Sequence, residues 1–303
     1  MHRMKKLQVV ELLTLLPGAA GVRAGAKVRN GSKRLAKNLS HLLVVSSVLI
    51  CGSALAQTGP GNAVSLQSSA AQYVTALIPT VSSNYTISAW VFLRAGGNYW
   101  GVRRCVLGGS NTVEMMVRSA TSNNYDPQYL ELGRWGVFNG QPSTVPVPTN
   151  EWVHLAVVVS ETKQISYFIN GAAAGGWDGS GYDLTLGTTN ILLGDNAIRR
   201  FDGVLDEVRI WNTARSQAEI QADMNRRLAG SEAGLLAYWR FDEASGAVAS
   251  NSATATGATC NGTLVNGPAR VLSGIPFVPD PATLSAANIG RTNATLRASI
   301  HPG

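Results

Sequence analysis

The sequence predicts an all-β protein, an antiparallel two-sheet β-sandwich with one short C-terminal edge helix. Three observations carry this. Short apolar-alternating runs recur between turn residues from residue 63 onward, with no helical segments alternating between them. Glycine is abundant, at 32 of 303 residues, as a chain of many tight turns requires. Hydrophobic residues make up 45 % and charged residues 14 %, enough apolar surface to fill a core rather than leave the chain disordered.

Each element has a local reason. Tyr85–Phe92 alternates with period two, and so does Gln164–Ile169, which runs into Asn170-Gly171, a pair that tolerates the positive φ of a tight hairpin. Trp152–Val159, WVHLAVVV, is denser and suits a central strand covered on both faces. Further strands are expected at Ala63–Leu66, Cys105–Leu107, Thr112–Val117, Gln128–Val137, Asn190–Leu193, Gly203–Trp211 and Leu235–Phe241. The helix starts at Ser216, a natural N-cap, with Glu219 completing a capping box. Ile220, Met224 and Leu228 form its apolar stripe, Arg226 and Arg227 favour its C-terminal end, and Gly230 is the expected stop.

Charge is unevenly spread. The net charge is +7, but residues 1–56 hold nine Lys/Arg against one Glu, leaving 16 basic and 17 acidic residues in the remainder. That near-neutral body has no broad cationic face for phosphates, which argues against nucleic acid as a partner. Residues 41–56 follow Lys33, Arg34 and Lys37 with an apolar run and end in Ala54-Leu55-Ala56, the form of a secretory signal cleaved before Gln57. The run is shorter than the roughly 20 residues of a spanning helix, so no membrane span is expected in the mature chain. Residues 1–56 are thus read as a signal peptide with an extended or mis-called N-terminal region, translation starting near Val28. The expected location is secreted, periplasmic or cell surface. Export leaves Cys105 and Cys260, which either form one disulfide or remain two separate buried thiols.

Several stretches resemble laminin G-like jelly-roll domains of the concanavalin A-like lectin/glucanase superfamily. Phe201–Asn212 with Ala214–Ile220 resembles that family's final strand and helix. Thr86–Val91 is similar to its "tISaWv" strand, Glu151–Val158 to its "eWvHvAvv" strand, and Phe168–Gly171 to its "yvNG" hairpin. Gly234–Glu243 and Asn261–Leu264 resemble a segment that often trails the domain. The resemblance implies a jelly-roll domain with trailing segment over 57–272. The first strand departs from the family's pattern, since Gln67-Ser68-Ser69 stands where an acidic residue is common. The tail, 273–303, begins as a Pro-rich linker. Ala282–Ile300 looks like the first two strands of a fibronectin type III-like repeat, too short to close a second core.

The expected function is a secreted or cell-surface non-catalytic module that binds carbohydrate or extracellular matrix, its partner a glycan or an extracellular protein. The alternative is a structural or adhesive spacer of a larger surface protein with no small ligand; a glycoside hydrolase comes third. Glucanase relatives present alternating acids, E-x-D-x-x-E, and no such run occurs. Asp206 and Glu207 are adjacent, so on a regular strand they face opposite ways. His154 lies in an apolar strand and reads as a packed histidine. Trp90, Trp152, Trp211 and Trp239 sit in strand patterns and read as core. Trp100 and Trp177 lie in Gly-rich loops, and Tyr99, Trp100, Arg103, Trp177 and Tyr182 are the expected ligand contacts, unless the rings fold back on the sandwich edge. Relatives often bind calcium at a rim loop. No cofactor is certain, and the best calcium cluster is Asp195 and Asn196 with Asp202, joined by Asp178 and Asp183 as outer candidates.

Overall fold

The computed structural model describes residues 61–95, 103–109, 111–119, 127–187, 190–195 and 199–277. The signal region 1–56 and the fibronectin-like stretch 282–300 lie outside the described residues.

In chain order the strands begin with β1 (Asn62–Leu66), β2 (Tyr73–Ala76), β3 (Tyr85–Leu93), β4 (Arg103–Gly108), β5 (Glu114–Ser119) and β6 (Gln128–Gly133). There follow β7 (Pro146–Val147), β8 (Trp152–Val159), β9 (Gln164–Ile169), β10 (Ala172–Asp178), β11 (Ile191–Leu193) and β12 (Gly203–Trp211). Helix α1 (Gln217–Met224) precedes β13 (Leu235–Trp239), β14 (Val248–Ala249), β15 (Gly262–Val265) and β16 (Ala269–Leu272). They make two antiparallel sheets. The first runs β10-β9-β8-β3-β12-β1-β16 with β13 also on β12; the second runs β14-β15-β2-β11-β4-β5-β6-β7.

Alternation decides which side chains meet between the sheets. From the first sheet, Ile87, Ala89, Val91 and Leu93 of β3 and Val153, Leu155, Val157 and Val159 of β8 face the core. From the second come Met115 and Val117 of β5, Leu130 and Leu132 of β6, and Ile191 and Leu193 of β11. The opposite side of β8 is covered too, with Ala156 and Val158 packing against Phe168 and Ile220 of α1. That is why WVHLAVVV is apolar nearly throughout. The Asn170-Gly171 hairpin forms as its sequence dictates, both residues at positive φ (49° and 72°).

Strands β13 to β16 are woven into the sandwich. Strand β13 pairs with the second half of β12, β15 extends the second sheet beside β2, and β16 pairs with β1. Trp239 joins the main core, while Trp211, Leu228, Leu235 and Tyr238 form a smaller cluster beside it.

Strand β12 breaks its regular period at a β-bulge. Against β3, Asp206 pairs with Trp90 but Arg209 pairs with Ser88, so Glu207 and Val208 together oppose Ala89. Glu207 takes a left-handed conformation, φ 50°. The expectation that Asp206 and Glu207 diverge to opposite faces therefore fails: both are buried, and Asp206 Oδ1 accepts from the Glu207 N–H at 2.8 Å. Asp206 Oδ2 also accepts from the Ser273 hydroxyl.

The bulge positions Arg209. Its guanidinium, 2 % exposed, donates to Glu207 Oε2 at 2.6 Å, to the Asp223 carbonyl at 2.7 Å and to the Arg226 carbonyl at 2.8 Å. The Trp90 indole N–H reaches the Met224 carbonyl at 2.7 Å. These donors satisfy the orphan carbonyls at the end of α1. The helix therefore stops at Met224, short of the expected Gly230, and Leu228 packs with Trp211 and Tyr238 instead of extending a helical stripe. The capping box at Ser216 and Glu219 forms as expected.

The cysteines do not pair: Cys105 and Cys260 are both buried free thiols. Cys105 sits in β4, and Cys260 ends a 3-10 turn just before β15. Strands β2 and β11 lie between β4 and β15 in the sheet, so at about 4.8 Å per strand these strands are roughly 14 Å apart, against a Cα reach of about 7 Å for a disulfide.

Three outcomes follow. Denatured without reductant, the protein should react with iodoacetamide at Cys105 and Cys260; an unmodified pair would show a bridge. Arg209→Met leaves Glu207 buried without its cation and should lower the unfolding free energy in urea by about 3–5 kcal/mol. Burial, reinforced by the neighbouring Glu207 charge, raises the Asp206 pKa well above 3.8. Its folded value exceeds its unfolded one, so the stability it contributes is complete below about pH 4 and lost as pH rises toward the folded value. Asp206→Asn should gain in melting temperature over the parent as pH is raised from about 4, and a constant difference from pH 4 to 9 would contradict this.

Candidate binding surface

The central part of the first sheet's outer side is occupied by α1 and by the chain after β16, where Ile275 is buried. Of the expected contact residues, Trp177 lies in β10 at the edge of the first sheet, Tyr182 in the connection from β10 to the second sheet, and Arg103 at the start of β4.

After β6 the chain turns back at residues 134–138. Arg134 N–H donates to the Phe138 carbonyl and Phe138 N–H to the Arg134 carbonyl, both at 3.0 Å. Gly136, at φ 71°, makes the tip. The expected strand Gln128–Val137 therefore ends at Gly133, and Trp135 and Val137 are left 55 % and 60 % exposed. The Arg199 guanidinium lies over the Trp135 ring at 4.4 Å and donates to Glu114 Oε2 at 2.7 Å. Glu131, buried like Glu114, accepts from Arg118 at 3.4 Å.

Phe138, at the base of this turn, stacks on Tyr182 with centroids 4.6 Å apart. Trp177 of β10 meets both rings edge-on, at 5.9 and 5.6 Å. The Trp177 N–H is already used, donating to the Tyr167 hydroxyl at 2.9 Å. That hydroxyl also accepts from the Leu132 N–H and donates to the Gln141 carbonyl. Burial pushes the Tyr167 pKa up to about 12. Beside them, Arg134 pairs with Asp183. The Thr185 hydroxyl and then Arg134 hold the Asp183 carboxyl down to about 2.

Of the five expected contacts, the structure brings Trp177 and Tyr182 together. Trp177 turns inward, partly buried against the core, whereas Tyr182 keeps 42 % of its surface exposed. Tyr99 and Trp100 lie outside the described residues, and of Arg103 only its place at the start of β4 is described. Trp135 escaped the sequence reading because it fell inside the expected strand Gln128–Val137. The signal against a strand there was Gly136, the tip glycine.

The expected calcium residues are engaged elsewhere. Asp202 accepts from Arg94 at 3.0 Å through one oxygen and from the Ser68 hydroxyl at 3.1 Å through the other. Asp195 Oδ2 faces Arg200 Nε at 3.8 Å, and Asn196 lies outside the described residues. Asp178 accepts from the Ser180 N–H in its own turn. Among the described residues no three His, Cys, Asp or Glu side chains are grouped to hold a metal ion.

The fold is similar to that of a protein from Bacteroides ovatus provisionally described as carbohydrate binding. The TM-score is 0.54 at 23 % identity, with 72 % of this chain and 61 % of that protein covered. This chain thus spans 61 % of that protein's length. It is also similar to a heptameric pentraxin from Limulus polyphemus, with a TM-score of 0.50, 11 % identity, and 71 % and 96 % of the two chains covered. No curated protein sequence matches. A laminin G-type family model matches residues 66–221, just over half of the chain. With the two-sheet antiparallel architecture already in place, this shows that the chain belongs to the concanavalin A-like lectin/glucanases superfamily.

Proposed function

We propose that the protein is a non-catalytic carbohydrate-binding module of a secreted or cell-surface protein. The observation that carries this is Trp135, a large ring on a short turn with 55 % of its surface exposed. An exposed ring supplies a stacking face for the apolar side of a sugar. Tyr182 flanks the same turn through Phe138. Three ion pairs, Arg199–Glu114, Arg134–Asp183 and Arg118–Glu131, cancel charge around the turn, which favours a neutral glycan over an acidic one. Family membership and the description of the Bacteroides protein support the same reading.

The test is a glycan array followed by affinity electrophoresis in neutral polysaccharide gels. Trp135→Ala should weaken binding about tenfold, equivalent to about 1.4 kcal/mol, with little change in melting temperature. Tyr182→Ala should weaken it less. The proposed binding is independent of calcium, because arginines already face the rim carboxylates, so EDTA should leave it unchanged. Undiminished binding by Trp135→Ala would remove this turn as the site, and silence across neutral glycans would remove the carbohydrate reading.

A further inference from the structure

Helix α1 covers the outer side of the first sheet, and a cavity of about 10 Å³ lies under it. Its wall includes Ser88, His154, Arg209, Arg215, Asp223 and Met224. Two of these lining residues each have a buried polar atom without a hydrogen-bond partner among the protein's own groups, His154 Nδ1 and Arg209 Nε. Both side chains are 2 % exposed.

The chemistry of these atoms restricts the occupant. Arg209 Nε–H can only donate. The rest of that guanidinium is fixed by Glu207 and by the Asp223 and Arg226 carbonyls, so it cannot swing away to find a partner. Burial, and then the Arg209 charge, hold the His154 pKa down to about 3. The imidazole is therefore neutral over the physiological range, with one ring nitrogen free to accept. A molecule that satisfies both must accept from one and donate to the other. The Arg209 guanidinium disfavours a cation. An anion could not donate to the imidazole and would face Asp223 and Glu219, which also line the cavity. The volume matches one water, which needs about 10–15 Å³ and two to four polar partners.

We propose that this cavity is a site for a single buried water, which accepts from Arg209 Nε–H and donates to His154 Nδ1. The water joins the strand that carries His154 to the arginine that anchors the end of α1. The C-terminal end of the helix is then held to the sheet by the Trp90 indole and by the guanidinium, which the bridging water ties to His154.

A crystal structure of the protein at about 1.5 Å should show one peak within about 3.2 Å of both atoms. In long-range nitrogen NMR spectra, His154 Nδ1 should be the unprotonated ring nitrogen. Water-oxygen magnetic relaxation dispersion should count one fewer long-lived water in His154→Phe, whose ring fills the space and offers no acceptor. If that variant fails to fold, the crystal and nitrogen measurements on the parent protein still decide. A direct His154–Ser88 hydrogen bond with no density in the cavity, an anomalous peak marking chloride, or a protonated Nδ1 would each overturn the proposal.

Discussion

The hydrogen-bonded guanidinium of Arg209 is the joint on which the outer half of the structure depends. It lies where three pieces of chain converge: the bulged strand β12, the end of α1, and β13 through the Tyr238 ring at 5.0 Å. A buried cation is costly unless every donor is engaged. Here one carboxylate and two helix-end carbonyls take its terminal nitrogens, and these are the groups that would otherwise be stranded under the helix. The bulge matters as well. Without the extra residue at Glu207, Asp206 would face the side opposite to Glu207 and Arg209.

This joint divides the labour of the two sheets. The centre of the first sheet is closed on both sides: the core lies beneath it, and α1 with the chain after β16 lies above. Its outer layer is polar yet buried, with His154, Asp206, Glu207 and Arg209 all at most 2 % exposed. The proposed binding turn follows β6 of the second sheet and is backed by Trp177 of β10. There the apolar surface stands out on a turn whose base is stapled by Phe138, Trp177 and the Tyr167 hydroxyl. Rigid aromatics behind the turn reduce the ordering cost of presenting Trp135 to a ligand.

Much of this was legible in the sequence because local chemistry and tertiary environment agreed. Strands β3, β8, β9 and β12 stand at the centre of the first sheet, where burial enforces the apolar period. The Asn170-Gly171 turn and the Ser216 cap depend on their own residues alone. What escaped were features set by partners distant in the chain. Strands β7 and β14 are two residues long and exist through their neighbours. The early end of α1 is imposed by Trp90 and Arg209, and the strand order, which no spacing reveals, separates the cysteines. At the candidate site, Tyr182 was visible as an aromatic in a Gly-rich loop. Trp177 turned inward because Tyr167, ten residues earlier, offers a buried hydroxyl, and Trp135 was hidden inside a strand expected to run on to Val137.

The pairing of β1 with β16 also has a mechanical meaning. Asn62 stands directly opposite Leu272, so the chain arrives and departs about 5 Å apart. A tether pulled at those two points would peel the pair open one bond at a time instead of loading the whole ladder in shear. Such a domain adds almost nothing to the reach of the chain that carries it.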